Sequence, residues 1–411
     1  MQHERRNISM LMDLYEMTMA HGYFTKQDNT DRVAFDVFYR RNPDKGGFAI
    51  FGGLEQVLEY ILNLHFDEED MAYFKSLHLF SDEFLEYLRN FKFTGDVYAF
   101  KEGTIIYPNE PIMTIVAPLI DAQIVETAVL TMINHQSLIA TKANRIVRAA
   151  DGRIVSDFGA RRAHNVDAAV YGARAAFIGG VNGTATVLAG QQFGIPVNGT
   201  MAHSWVMYHD SEYEAFKSYA EVYPDSAVFL VDTYNVLESG VPNAIKVAKD
   251  ILEPNGHRLK GIRLDSGDLA YLAKQARRML DDAGMNDCKI MASNSLDEYT
   301  IISLLIQGGP IDIFGVGERL ITSKSDPVFG AVYKIAGVEK NGVWEPRIKI
   351  SESCRYTAQN NTDSKQFKRH QFVLSALRTL IRLDFFDEFH LSLQSLHKGV
   401  VIRQLWMIVR E

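Results

Sequence analysis

From about residue 152 the chain settles into a rhythm that few architectures accommodate. Short apolar runs at 153–156, 196–201, 227–231, 260–264, 289–292 and 311–314 alternate with helical patterns over 211–222, 236–252, 268–284 and 297–306. Runs of that length suit strands buried on both faces, and helices between them supply the right-handed crossovers that parallel strands need. A parallel α/β sheet is therefore expected. Each run is also followed by polar residues or glycine: Asp157, His203, Asp232, Asp265, Ser293 with Asn294, and Gly315. Polar loops alone explain one or two of these cases well and six less well. In a βα barrel the strand ends share one rim, and the active site is built there.

The preceding part is α+β. Residues 33–39 read as a strand, 53–64 as a helix, 95–100 and 111–117 as short strands, and 121–150 as a long helical stretch. Three segments follow: an N-terminal α+β sandwich region with the long helix (1–150), a βα barrel-like catalytic domain (151–351), and an atypical C-terminal segment (352–411). The last holds one glycine, Gly399, and no proline, so it lacks the turn chemistry that punctuates the rest.

The composition supports a large globular core, with 47% apolar and 23% charged residues in 411. A net charge of −8 argues against a broad nucleic-acid surface, although a local basic cluster can still bind small anions. Cys288 and Cys354 form neither a disulfide framework nor a metal pattern. The first ten residues lack a signal peptide's apolar run, and no stretch reaches the roughly 18 apolar residues of a membrane helix. A reducing, cytoplasmic setting is the expectation.

Four motifs could carry chemistry. In Asn198-Gly-Thr-Met-Ala-His203, the imidazole stands just past a strand end, where it could attack phosphorus or accept a proton. A lone histidine there is more often a surface or hydrogen-bonded residue, but Asp232 ends the next strand and could accept from its other ring nitrogen. In Gly261–Asp268, Arg263 and Asp265 are two apart and share one side of a strand. They suit a ligand with both an anion and sugar hydroxyls, or simply a structural ion pair. In 311–323, Gly315 and Gly317 precede a turn containing Thr322, a place where backbone N–H groups can approach an anion. Two-glycine turns are also common for steric reasons. In 156–162, Arg161 and Arg162 offer an anion site or a solvated basic loop. Near the N-terminus, Tyr15 and the pair Arg40-Arg41 stand out, Tyr15 being readable as a core aromatic. No P-loop, dinucleotide fingerprint or zinc motif is present.

Taken together, these motifs resemble the nicotinate phosphoribosyltransferase family. The resemblance covers residues 13–20, FDVFYRRNP at 35–43, SDFGARRAH at 156–164, GTMAHSW at 199–205, DTYN at 232–235, RLDSGDL at 263–269 and FGVGERLITS at 314–323. It spans roughly 8–351 in the family's order. It implies an N-terminal α/β sandwich, an irregular barrel-like domain of the type II phosphoribosyltransferases, and a homodimer with shared sites. The substrates implied are nicotinate, 5-phosphoribosyl 1-pyrophosphate and ATP, with Mg²⁺, in NAD salvage. By resemblance His203 is the phosphohistidine, Asp232 the carboxylate orienting it, and Asp265 the acid on the ribose hydroxyls. Arg263 and Thr200 match residues near nicotinate and pyrophosphate, and Arg161 an arginine of the family motif. Gly315, Gly317 and Thr322 match the loop holding the ribose 5-phosphate. Tyr15 resembles the aromatic stacked on the pyridine ring from the partner subunit, and Arg40 a phosphate contact from the same side. No nucleic-acid or membrane partner is implied.

The likeness ends near Ser351, and the residues beyond are read as a shifted frame or a divergent terminus. Two other functions remain open from sequence: nicotinamide or quinolinate as the base, and a non-catalytic remnant that only binds ligand.

Overall fold

The computed structural model describes residues 7–26 and 31–347. The expected atypical segment, 352–411, lies outside the described residues. In chain order the first five strands are β1 (Arg32–Tyr39), β2 (Ala49–Ile50), β3 (Asp96–Ala99), β4 (Ile105–Ile106) and β5 (Met113–Pro118). Six follow: β6 (Ile154–Asp157), β7 (Gly183–Thr184), β8 (Val228–Leu230), β9 (Gly261–Leu264), β10 (Lys289–Ser293) and β11 (Ile313–Val316). The last two are β12 (Ala331–Lys340) and β13 (Val343–Pro346).

Two compact units divide the chain. One holds the described residues up to Ser137 together with those from Val328, and the other is Leu138–Pro327. The first break therefore falls inside the helix Glu126–Ala149 and not at 150, and the second at Val328 and not at 351. The reason for the second is β12, which pairs with the whole of β1 and so returns the chain to the first unit.

The first unit is built on an antiparallel sheet in the order β13-β12-β1-β5-β3. Its central strand β1 is buried along almost its entire length, which explains its nearly continuous apolar and aromatic run. Phe35 stacks on Tyr333 at 4.6 Å, and Tyr39 on Phe329 at 4.6 Å. The one acid in that run, Asp36, is buried and accepts from the Thr114 hydroxyl at 2.7 Å. Burying it with a hydrogen bond avoids the full desolvation cost.

The second unit has a six-stranded parallel sheet in the order β7-β6-β11-β10-β9-β8. This order is that of a ring. Each strand except β8 neighbours its predecessor in sequence, and the last, β11, pairs with the first, β6. The ring is cut at one place, between β7 and β8. The run at 196–201, expected as a strand, lies in that cut and makes only a single bridge, Thr184 with Val197. Pro196 lacks an N–H, so the run cannot carry a ladder further. The neighbouring strand is instead β7, whose Gly183 leaves no room for a side chain: a Cβ there would meet the Pro196 carbonyl at 2.6 Å. The expected helices appear as Glu212–Val222, Leu269–Asp282 and Glu298–Ile306. The residues Val187–Phe193 are also helical. Among the described residues, no helix is long and apolar enough to cross a membrane.

Candidate active site

The polar residues anticipated at the strand ends converge in the second unit. Past β8, the buried Asp232 accepts from the Asp265 backbone N–H at 2.9 Å and the Ser266 hydroxyl at 2.6 Å, both through Oδ2. Its Oδ1 is buried without a hydrogen-bond partner. Past β9, Asp265 takes a hydrogen bond from the Ser293 hydroxyl at the end of β10. Three successive strand ends are thus tied through two carboxylates.

Arg263 lies on β9 and reaches across the cut in the ring. It donates to the Thr200 hydroxyl and, at 3.3 Å, to the Met201 carbonyl. Side-chain hydrogen bonds link the 196–201 segment to the sheet where a ladder is missing. Its guanidinium stands 3.9 Å from Asp265 and 6.0 Å from the centre of the Phe158 ring. Burial pulls Arg263 below the usual guanidinium value, Asp265 and Asp232 oppose that pull, and Arg161 adds to it. Its Nε is buried and unpartnered.

His203 opens the short helix His203–Tyr208. Its Nδ1 is 3.0 Å from the Thr233 hydroxyl. Its Nε2 is 3.9 Å from Asp232 Oδ1 and 3.9 Å from Asp265 Oδ2. The expected hydrogen bond between ring and Asp232 is therefore not formed, since 3.9 Å exceeds its range. The nitrogen facing the acids is Nε2, and the bonded one is Nδ1.

Of the remaining residues, Gly315 pairs with Ser293 across β10 and β11, and Arg161 is near enough to act on Arg263. Arg161 and Arg162 sit in the turn Ala160–Arg162, both exposed. Gly315 on β11 faces Phe158, whose ring a Cβ would meet at 2.7 Å, and a Cβ on Gly317 would meet the Phe158 carbonyl at 3.1 Å. Thr322 ends the helix Glu318–Ile321 and lines a cleft of about 360 Å³ with Arg162, His164, Glu318, Lys324 and Pro327. A second cleft, of about 380 Å³, includes Asp265, Ser266, Asn294, Ser295, Thr300 and Arg319. Tyr15 and Arg40 belong to the other unit. Tyr15 is on the helix Leu14–Lys26 and 43% exposed, so it is not a core aromatic. Burial and the nearby Glu126 raise its phenol above the usual value. Arg40 is exposed just past β1.

Sequence reasoning overlooked Thr233, Ser266 and Phe158. Each stands beside a residue that was singled out, but hydroxyls and rings are common, and only the fold shows which ones face the site.

A family model for the nicotinate phosphoribosyltransferase N-terminal domain matches residues 10–134, and the model of the nicotinate phosphoribosyltransferase family matches 154–376. The nicotinate phosphoribosyltransferase of Bacillus subtilis is 49% identical over 349 residues, covering 84% of this chain and 70% of that protein. The chain belongs to the nicotinate phosphoribosyltransferase family. A Dictyostelium discoideum member is 37% identical, over 84% of this chain and 66% of its own length. Among solved structures, human nicotinic acid phosphoribosyltransferase superposes with a TM-score of 0.74 at 29% identity, covering 82% of this chain and 76% of that one. Nicotinate-nucleotide pyrophosphorylase from Pyrococcus furiosus gives 0.66 at 27%, covering 85% and 82%. The family match runs to residue 376, so it extends past the point near Ser351 where the resemblance was expected to stop.

Proposed function

We propose that this member of the family joins nicotinate to the phosphoribosyl group of 5-phosphoribosyl 1-pyrophosphate, releasing pyrophosphate, with ATP hydrolysis coupled through His203, as a step of NAD salvage. The observation that carries the reading is the meeting of His203, Asp232, Asp265 and Arg263 at adjoining strand ends. Displacement at the ribose C1 builds positive charge on the sugar and negative charge on pyrophosphate. Arg263, with its Nε uncommitted, would stabilise an anion, and Asp265 would accept from ribose hydroxyls. Gly315, Gly317 and Thr322 would hold the 5-phosphate, and Arg161 and Thr200 would lie along the anion's path. Tyr15 and Arg40 would reach the pyridine and a phosphate from a partner subunit in a cytoplasmic homodimer.

Among the described residues, no group of three or more His, Cys, Asp or Glu could hold a metal by itself. That suits Mg²⁺, which binds through one or two carboxylates together with substrate phosphates. Asp265, whose side chain is partly exposed, is the carboxylate available, and the ion would supply charge neutralisation on the polyphosphate.

The test is formation of nicotinate mononucleotide by purified full-length chain, with nicotinamide and quinolinate assayed in parallel. Product with nicotinate alone is expected. A folded sample that makes none, or that prefers another base, overturns the reading, and normal turnover excludes a non-catalytic remnant. In His203→Asn the stimulation of the rate by ATP should disappear. Equal stimulation in variant and wild type would remove His203 from the coupling.

A further inference from the structure

The two nitrogens of His203 face different chemistry. Nε2 looks toward two carboxylate oxygens, Asp232 Oδ1 and Asp265 Oδ2, each 3.9 Å away. Nδ1 looks toward a hydroxyl, Thr233 Oγ1, at 3.0 Å. A neutral imidazole carries one N–H. Placed on Nε2, that N–H points into negative charge and toward Asp232 Oδ1, a buried acceptor with no partner. Placed on Nδ1, it would leave a lone pair facing two acids. The first arrangement wins on electrostatics, and it requires the Thr233 hydroxyl to be the donor to Nδ1. Asp232 and Thr233 are consecutive, so the end of one strand addresses both edges of the ring. A β-branched side chain also restricts the hydroxyl's position through χ1.

We propose that Thr233 is a positioning residue that makes Nδ1 the nucleophile of His203. The proposal rests on the reading of His203 as phosphate acceptor. The Nδ1 lone pair attacks the γ-phosphorus of ATP and the N–P bond forms. The bond from that phosphorus to the bridging oxygen breaks, and ADP leaves with its electrons. The ring becomes a phosphoimidazolium whose retained Nε2–H faces Asp232 and Asp265. As the N–P bond forms, the Thr233 hydroxyl turns from Nδ1 to a phosphoryl oxygen.

The experiment follows label from γ-phosphate-labelled ATP into acid-labile, alkali-stable phosphoenzyme in a single turnover. Thr233→Val, which keeps the shape and removes the hydroxyl, should form it roughly ten-fold more slowly, the order of effect for a lost hydrogen bond. Thr233→Ser should recover most of the wild-type rate. A Val variant at the wild-type rate, or a Ser variant no better than Val, overturns the role of the hydroxyl. No labelling in the wild type overturns the His203 reading itself, a separable outcome. If the Val variant does not fold, ¹⁵N spectra of histidine-labelled wild type decide, with the His203 signals identified by their loss in His203→Asn. The Nε2–H tautomer is expected, and a protonated Nδ1 in the neutral ring would overturn the proposal.

Discussion

Asp157 ends β6 with both oxygens engaged, Oδ1 by the Gly159 N–H at 2.8 Å and Oδ2 by the Thr184 hydroxyl at 2.7 Å. Burial pushes its carboxyl above the ordinary value of 3.8, and the two hydrogen bonds only partly offset this. The native state therefore keeps the proton to higher pH than the unfolded chain. Its contribution to stability is fully present below the unfolded value and is lost as pH rises through the native one. Asp157→Asn removes this loss. In urea titrations across the acid range, the variant's stability relative to wild type should improve as pH rises, and a constant difference would contradict the assignment. The residue could be seen in the sequence as a polar group after a strand, but its burial could not. Gly315 teaches the same lesson, because its need for a missing side chain comes from Phe158, a residue far away in sequence.

At the scale of elements, most strands and helices were legible because apolar spacing records which face is buried. Two were not. The run at 196–201 has a strand's composition, yet Pro196 denies it a ladder. The pattern over 236–252 reads as one regular helix. It is instead a π-turn Val236–Gly240, an α-helical stretch Val241–Val247 and a second π-turn Ala248–Leu252. Gly240 in the first wide turn lies against the chain just past β8: a Cβ there would fall 1.9 Å from the Val231 carbonyl oxygen. Since Val231 leads directly into Asp232 and Thr233, that contact also seats the site. Gly240→Ala should cost about 2–3 kcal/mol by urea denaturation, the upper part of the range for overpacking. A loss under about 0.5 kcal/mol, the size of an ordinary surface change, would mean that the turn yields freely.

At the scale of the whole molecule, β12 returns to β1 after some 290 residues of intervening chain (Tyr39 to Ala331). Read from sequence, 331–340 falls within the barrel-like segment, because local patterning carries no information about a strand's distant partner. The proposed dimer is tested at this scale. Tyr15→Ala and His203→Asn chains, each impaired alone in ATP-stimulated synthesis, should regain part of that activity when co-refolded. A shared site would then contain one intact half from each subunit. No recovery from a mixture proven to contain heterodimers would assign Tyr15 to its own chain's site or to none.

The sequence by itself determined the βα order, the polar residue types at the strand ends, and the family to which their order points. Periodicity and motif order are written locally along the chain. The tertiary structure alone decided which ends meet. It closed the ring through β11 and β6, linked the open edge by Arg263 and Thr200, and set a hydroxyl and two acids against opposite edges of His203. Those relations depend on distances between residues tens of positions apart, and packing sets such distances.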